Sequence, residues 1–161
     1  MTSLITYGLL AIAIIFNGFL AGLNVDRGLV QMPAWLKTGV RAWAAYSRHA
    51  DLGNGWYLYP IEAIVGAFFT VAAAVSFYFD LTAPASAAIP LYASAALAVV
   101  GLLTTLKAAP FILSLRRLGD DASAVQNAFD GFRRWGNVRG VFQILAFLMN
   151  IWAFGALANF Y

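Results

Sequence analysis

WYLYPIEAIVGAFFTVAAAVSFYF, residues Trp56–Phe79, carries one charged side chain, Glu62, in 24 positions. A helix needs about 20 residues, at about 1.5 Å each, to cross a hydrocarbon core near 30 Å. This stretch is long enough, and three others match it: Leu4–Leu23, Ala87–Leu106 (with a continuation past Lys107 to Pro110) and Val141–Tyr161. The whole chain follows the same pattern, with 161 residues that are 62% hydrophobic and 11% charged. Soluble domains run near 45–50% apolar and about 25% charged. So few charges cannot cover a soluble globule, which excludes that class, a disordered chain and a nucleic-acid reader. The expected fold is an all-α membrane protein, a four-transmembrane-helix bundle in one domain, with spans about 4–28, 56–79, 87–110 and 138–160.

The ten Lys and Arg residues give this reading a geography. Arg27, Lys37, Arg41 and Arg48 lie between spans one and two. Lys107, Arg116, Arg117, Arg133, Arg134 and Arg139 lie between spans three and four. The short connection Asp80–Ser86 and both termini have none. All the cations therefore fall on one side, and the positive-inside rule assigns that side to the cytoplasm. The expected topology is N-out and C-out, in a bacterial inner membrane. No Lys or Arg precedes Arg27, so Met1–Leu23 lacks the positive region of a secretory signal and reads as a retained span. The two inner connections carry helical composition over about 34–49 and 121–134. Pro33 suits a first helical turn, and Asp121 or Ser123 can cap the second helix. Trp, Tyr and Arg together suit helices at the membrane surface, which either cover the bundle mouth or form a lid over a pocket. Asp51-Leu-Gly-Asn-Gly55 breaks the chain ahead of span two.

Lipid offers polar groups no partner, so polar positions within spans should face inward. At helical spacing they form one stripe per span: Asn17, Ala21, Asn24, Gly28 and Gln31; Glu62, Gly66, Phe69, Ala73 and Ser76; Ser94, Ala98, Gly101, Thr105 and Ala108; Arg139, Gln143, Ala146, Asn150 and Ala153. Asn17 lies ~15 Å along a helix from Arg27, and Asn150 ~16 Å from Arg139, so the two asparagines are expected to meet near mid-membrane. By the same count Asn24, Glu62 and Gln143 share a level nearer the cytoplasm, with Arg139 one turn beyond.

Glu62 is the most informative residue. An acidic group mid-helix costs about 2.5–3.5 kcal/mol on insertion scales. It should therefore pair with Arg139 or Arg27, as a structural tie between spans, or stay protonated as an acid or base in a cytoplasm-facing pocket. His49 and Asp51 can join it around a borderline metal, but no His-x-x-x-His or Glu-x-x-His spacing occurs, and no metal is assigned. His49 otherwise reads as a loop residue or a lone proton carrier. With no cysteine, thiol chemistry and disulfides are excluded. Trp56, Tyr57 and Tyr59, like Trp35 and Trp135, read as interfacial anchors, with ligand stacking the alternative at Tyr59. Trp152 and Tyr161 suit the opposite belt. No P-loop, nucleophile elbow or dinucleotide fingerprint appears, and no cofactor is indicated.

The run Phe132-Arg-Arg-Trp-Gly-Asn-Val-Arg139, followed by apolar Val141–Phe154, resembles the last-helix signature of DUF1772, the anthrone oxygenase-like membrane family. The four-span layout, the length and the long first inner loop with Pro33-Ala-Trp35 are similar as well. The resemblance implies oxygenation of an activated aromatic, an anthrone, to a quinone without metal or flavin. In that chemistry Glu62 or His49 would remove the acidic proton, and Asn24, Asn137 and Arg139 would stabilise the oxyanion. Arg27, Tyr59 and Gln143 complete the expected pocket. The function expected is an enzyme acting on a small hydrophobic aromatic or quinone-like molecule. The alternative is a non-catalytic subunit or assembly factor of a larger membrane complex. The expected partners are the bilayer, a hydrophobic small molecule and a homo-oligomer or larger complex, with no nucleic acid.

Overall fold

The computed structural model describes residues 2–119 and 121–158. It is helical throughout, and four of its helical segments are long and apolar enough to cross a membrane. Helix α1 (Thr2–Asp26) runs through a π turn, Arg27–Gln31, into the short α2 (Met32–Thr38), which has Pro33 in its first turn. Gly39, at φ 93°, ends α2, and its N–H donates to the Trp35 carbonyl. A side chain at that φ would be strained, so the expected helix over 34–49 is split here, and α3 (Val40–His49) sets off in a new direction. A second π turn, Ala50–Asn54, has Gly53 outside the helical region (φ −86°, ψ −120°). It delivers the chain to α4 (Gly55–Tyr78), and Ala85–Ala87 forms a 3₁₀ turn before α5 (Ala88–Ser114).

The largest departure from expectation is α6, which is unbroken over Ala122–Ala158. The separate short helix expected over about 121–134 is instead the first third of this helix. A glycine such as Gly136 costs a helix only about 1 kcal/mol. The apolar face Val125, Ala128, Phe129 and Phe132 offsets that by burial against α2 and α3. Asp121 caps α6, accepting from the Ser123 hydroxyl (2.8 Å) and from the backbone N–H groups of Ser123 and Ala124. The hydroxyl bond first, then the two backbone bonds, hold its carboxyl below the usual range.

The bundle has two apolar ends. At the basic end Met32, Trp35, Trp43, Leu115, Phe129 and Phe132 form one core, and Trp43 stacks edge-on against Phe129 at 5.1 Å. Trp35, expected as an exposed interfacial anchor, is instead buried in this core, and its ring meets that of Tyr46. Arg48 ties the same cap to the end of α5 by donating to the Leu115 and Leu118 carbonyls. At the opposite end Leu10, Phe77, Leu91 and Leu157 pack together, with Trp152 exposed nearby in sequence; Tyr161 lies outside the described residues. Ile15, Phe19, Phe68, Leu103 and Leu106 are exposed around the middle. An apolar exterior over a polar interior is the distribution a lipid solvent requires.

Between the two cores the seam is polar. Asn17 donates to the carbonyls of Ala13 and Gly66 and to Thr70 Oγ1, at 2.8, 3.2 and 3.0 Å. Asn150 donates to the same hydroxyl at 3.2 Å, and that hydroxyl donates to the Gly66 carbonyl. The two asparagines meet at one depth, as expected, but through Thr70. The α4 stripe thus turns one residue from the expected Phe69 to Thr70, which is fully buried. Gly66 permits this approach, since a Cβ there would lie 3.2 Å from the Asn17 amide.

The α5–α6 contact is equally tight at Gly131, where an added Cβ would overlap the Phe111 ring. Gly131→Ala is expected to destabilise the bundle by ~1–3 kcal/mol through overpacking, measured by unfolding in mixed detergent–dodecyl sulfate micelles. A Phe111→Leu background should remove most of that loss.

Candidate functional site

The polar stripe of α1 continues past Asn17 to a cavity of about 80 Å³ at the basic end. Leu20, Leu23, Asn24, Arg27 and Gln31 line it from α1 and the first π turn; Tyr59, Pro60 and Ala63 from α4; Thr105 from α5; Arg139 and Gln143 from α6. Asn24 donates to Gln143 Oε1 and to the Leu20 carbonyl, both at 2.6 Å, which locks the α1 and α6 walls together. The expected shared level of Asn24 and Gln143 is thus a direct hydrogen bond. Gly140 lets α6 come this near, because a Cβ there would lie 3.3 Å from Asn24.

Two arginines face this space in different states. Arg27 pairs with Asp51 at 2.6 Å, with side chains 14% and 5% exposed, so the pair is shielded from solvent. Its guanidinium also lies over the rings of Tyr59 and Phe132, at 5.4 and 5.3 Å. The pair joins the two π turns, and such turns recur at functional sites because they shift side chains out of helical register. Arg139 makes no ion pair among the described residues, although the Asp51 carboxylate attracts it from a distance, and its Nε is buried without a hydrogen bond. Gln31 donates to Asp26, while its Oε1 is buried without a partner.

The ion pair expected between Glu62 and Arg27 or Arg139 does not form. Glu62 is buried, 8% exposed, with Oε2 unbonded, and it is not among the residues that line the cavity. The physical reason is reach. Arg27 sits where α1 leaves its helical register and meets the turn ahead of α4, so Asp51 reaches it before Glu62, which lies on α4 itself. His49 is exposed at the end of α3, away from the cavity lining. Among the described residues no three His, Asp or Glu side chains gather as a metal site would require. The trio of His49, Asp51 and Glu62, weighed from sequence as a possible metal set, is therefore not brought together.

A second space, about 430 Å³, lies between α1 with its π turn and α6. Asn137, which is exposed, borders it together with Gly28, Gly136 and Gly140. Asn24 and Arg27 border both spaces. Of the expected site residues, Asn24, Arg27, Tyr59, Arg139 and Gln143 therefore share one cavity, Asn137 belongs to the adjoining groove, and Glu62 and His49 belong to neither. Asp51, read from sequence as a metal partner, is the counter-ion of the site. Compared with protein families, characterised proteins and solved structures, the chain matches none.

Proposed function

We propose that this chain is an integral membrane protein whose basic end faces the cytoplasm, in a bacterial inner membrane, and whose cavity binds a small hydrophobic molecule through an acidic oxygen. A phenol, a quinol or the enol of an anthrone carries such an oxygen. The observation that supports this most is Arg139: a guanidinium at a cavity wall, with no carboxylate paired to it and an unbonded buried Nε. Arg139 is half-buried with its Nε fully buried; withdrawing a charge from water is costly unless it is paired, and an incoming oxyanion supplies the pair. The Tyr59 hydroxyl and the Gln143 amide N–H add donors at the same wall, and Asn24, whose amide is spent on Leu20 and Gln143, holds Gln143 in place.

The basic end follows the positive-inside rule, and the amphipathic cap of α2 and α3 fits a position at the lipid–water boundary. The resemblance to the anthrone oxygenase-like family lends partial support: of its expected oxyanion-stabilising residues, Asn24 and Arg139 border the cavity, while Asn137 borders the adjoining groove. Binding is better supported than catalysis. Neither Glu62 nor His49, the bases that chemistry would use, borders the cavity, which leaves the Tyr59 phenol as the weakly acidic side chain at its wall.

Titration of the purified protein in neutral detergent with a substituted hydroquinone tests the reading. Arg139→Gln should weaken binding at least tenfold, as expected for loss of a charge-assisted hydrogen bond worth about 1.5–3 kcal/mol. Unchanged affinity in that variant would remove the reading's main support.

A further inference from the structure

Resting on the reading above, we infer that the cavity and the groove beside it form one two-part site for a membrane amphiphile with an oxyanion head and a single apolar tail, admitted sideways from the lipid between α1 and α6. Three observations carry this. The first is charge: two guanidinium groups face the cavity, Asp51 neutralises one of them, and the wall is left with a single net positive charge. An arginine fork suits carboxylate or phosphate oxygens. The second is size: about 80 Å³ accepts such a head but not a chain, whereas about 430 Å³ lies immediately beyond Asn24 and Arg27, the two residues that border both spaces. The third is the character of the groove. Val25, Leu29, Val141 and Ile144 make its sides apolar, and the first three are exposed on the lipid-facing surface. An added Cβ at Gly28 or Gly136, on opposite walls, would meet nothing within 4 Å, so the groove is open along both.

The occupant is thus a lipid-borne oxyanion and not a free anion from water, because a water-borne anion has no use for an apolar groove opening to the side. The test is native mass spectrometry from neutral detergent with oleoyl lysophosphatidate as the probe. One molecule should be retained per chain, and Arg139→Gln should weaken retention at least tenfold. Gly28→Leu, whose Cβ meets nothing within 4 Å and whose side chain projects into the groove, should do the same while the unfolding midpoint stays unchanged. Gly136→Leu repeats the test from the facing wall in case the first variant misfolds. Excess inorganic phosphate should not displace the lipid. Displacement by phosphate, or full retention in both glycine variants, would overturn the inference. If hydroquinone binds in an Arg139-dependent way and lysophosphatidate does not, the sideways site falls and the cavity reading stands. If neither probe binds, both fall.

Discussion

Asp51→Ala is expected to be among the most damaging single substitutions in this protein, costing ~3–5 kcal/mol. Asp51 is 7% exposed and holds Arg27 at 2.6 Å. Removing it leaves a guanidinium among the rings of Tyr59 and Phe132 with no anion beside it, and the attraction of those rings, about 0.5–2 kcal/mol, does not replace a carboxylate. The two π turns also lose the bond that joins them, so the cavity should loosen together with the fold. Unfolding in dodecyl sulfate micelles measures the loss. Replacing both partners by apolar residues, Arg27→Met with Asp51→Leu, should recover a large part of the stability, because a removed pair costs less than a broken one. A loss below ~1 kcal/mol for Asp51→Ala would place the pair with exposed salt bridges.

Thr70→Val should show the second large effect. Its shape is conserved, so the measurement isolates the hydroxyl. In the variant the Asn150 amide, fully buried and already without a partner at Oδ1, loses its one acceptor among the described residues. Asn17 keeps two of its three acceptors, the Ala13 and Gly66 carbonyls. An unsatisfied buried polar group costs about 1–3 kcal/mol, and interhelical hydrogen bonds in membranes are worth about 0.6 kcal/mol on average. The expected loss is therefore ~2–3 kcal/mol. Thr70→Ser, which keeps the hydroxyl, should be close to wild type. Asn150→Leu in the Thr70→Val background should restore stability, since removing both partners leaves nothing unsatisfied.

How far these features could be read from sequence follows from what is local and what is not. The four apolar stretches and the gathering of Arg27, Arg48, Arg116, Arg134 and Arg139 at one end depend on composition along the chain, and both were legible. Asn17, Gln143 and Asn150 were legible as inward positions because a polar group in lipid has nowhere else to go. Thr70 was missed by one position because the stripe was followed through Phe69, and a helix turning 3.6 residues allows either neighbour. Its hydroxyl, four residues from Gly66, was the available signal. The continuity of α6 was hidden because helical composition over about 121–134 and an apolar span from about 138 read as two helices, propensity being local. The burial of Phe129 and Phe132 that overrides it comes from α2 and α3, about a hundred residues away in sequence. The Arg27–Asp51 pair depended on two π turns, whose register no apolar periodicity encodes. With Arg27 taken by Asp51, neither Arg139 nor Glu62 makes an ion pair among the described residues, and it is the unpaired Arg139 at the cavity wall that marks the site.

The central claim is that Arg139 faces the cavity to receive an oxyanion. The most direct test is a crystal structure of the protein grown with the hydroquinone ligand in neutral detergent. A ligand oxygen should lie within about 2.6–3.2 Å of the Arg139 guanidinium, with Asn24 still bonded to Gln143 and Arg27 still bonded to Asp51. A closed cavity in which the Arg139 guanidinium is paired with the Glu62 carboxylate would contradict it.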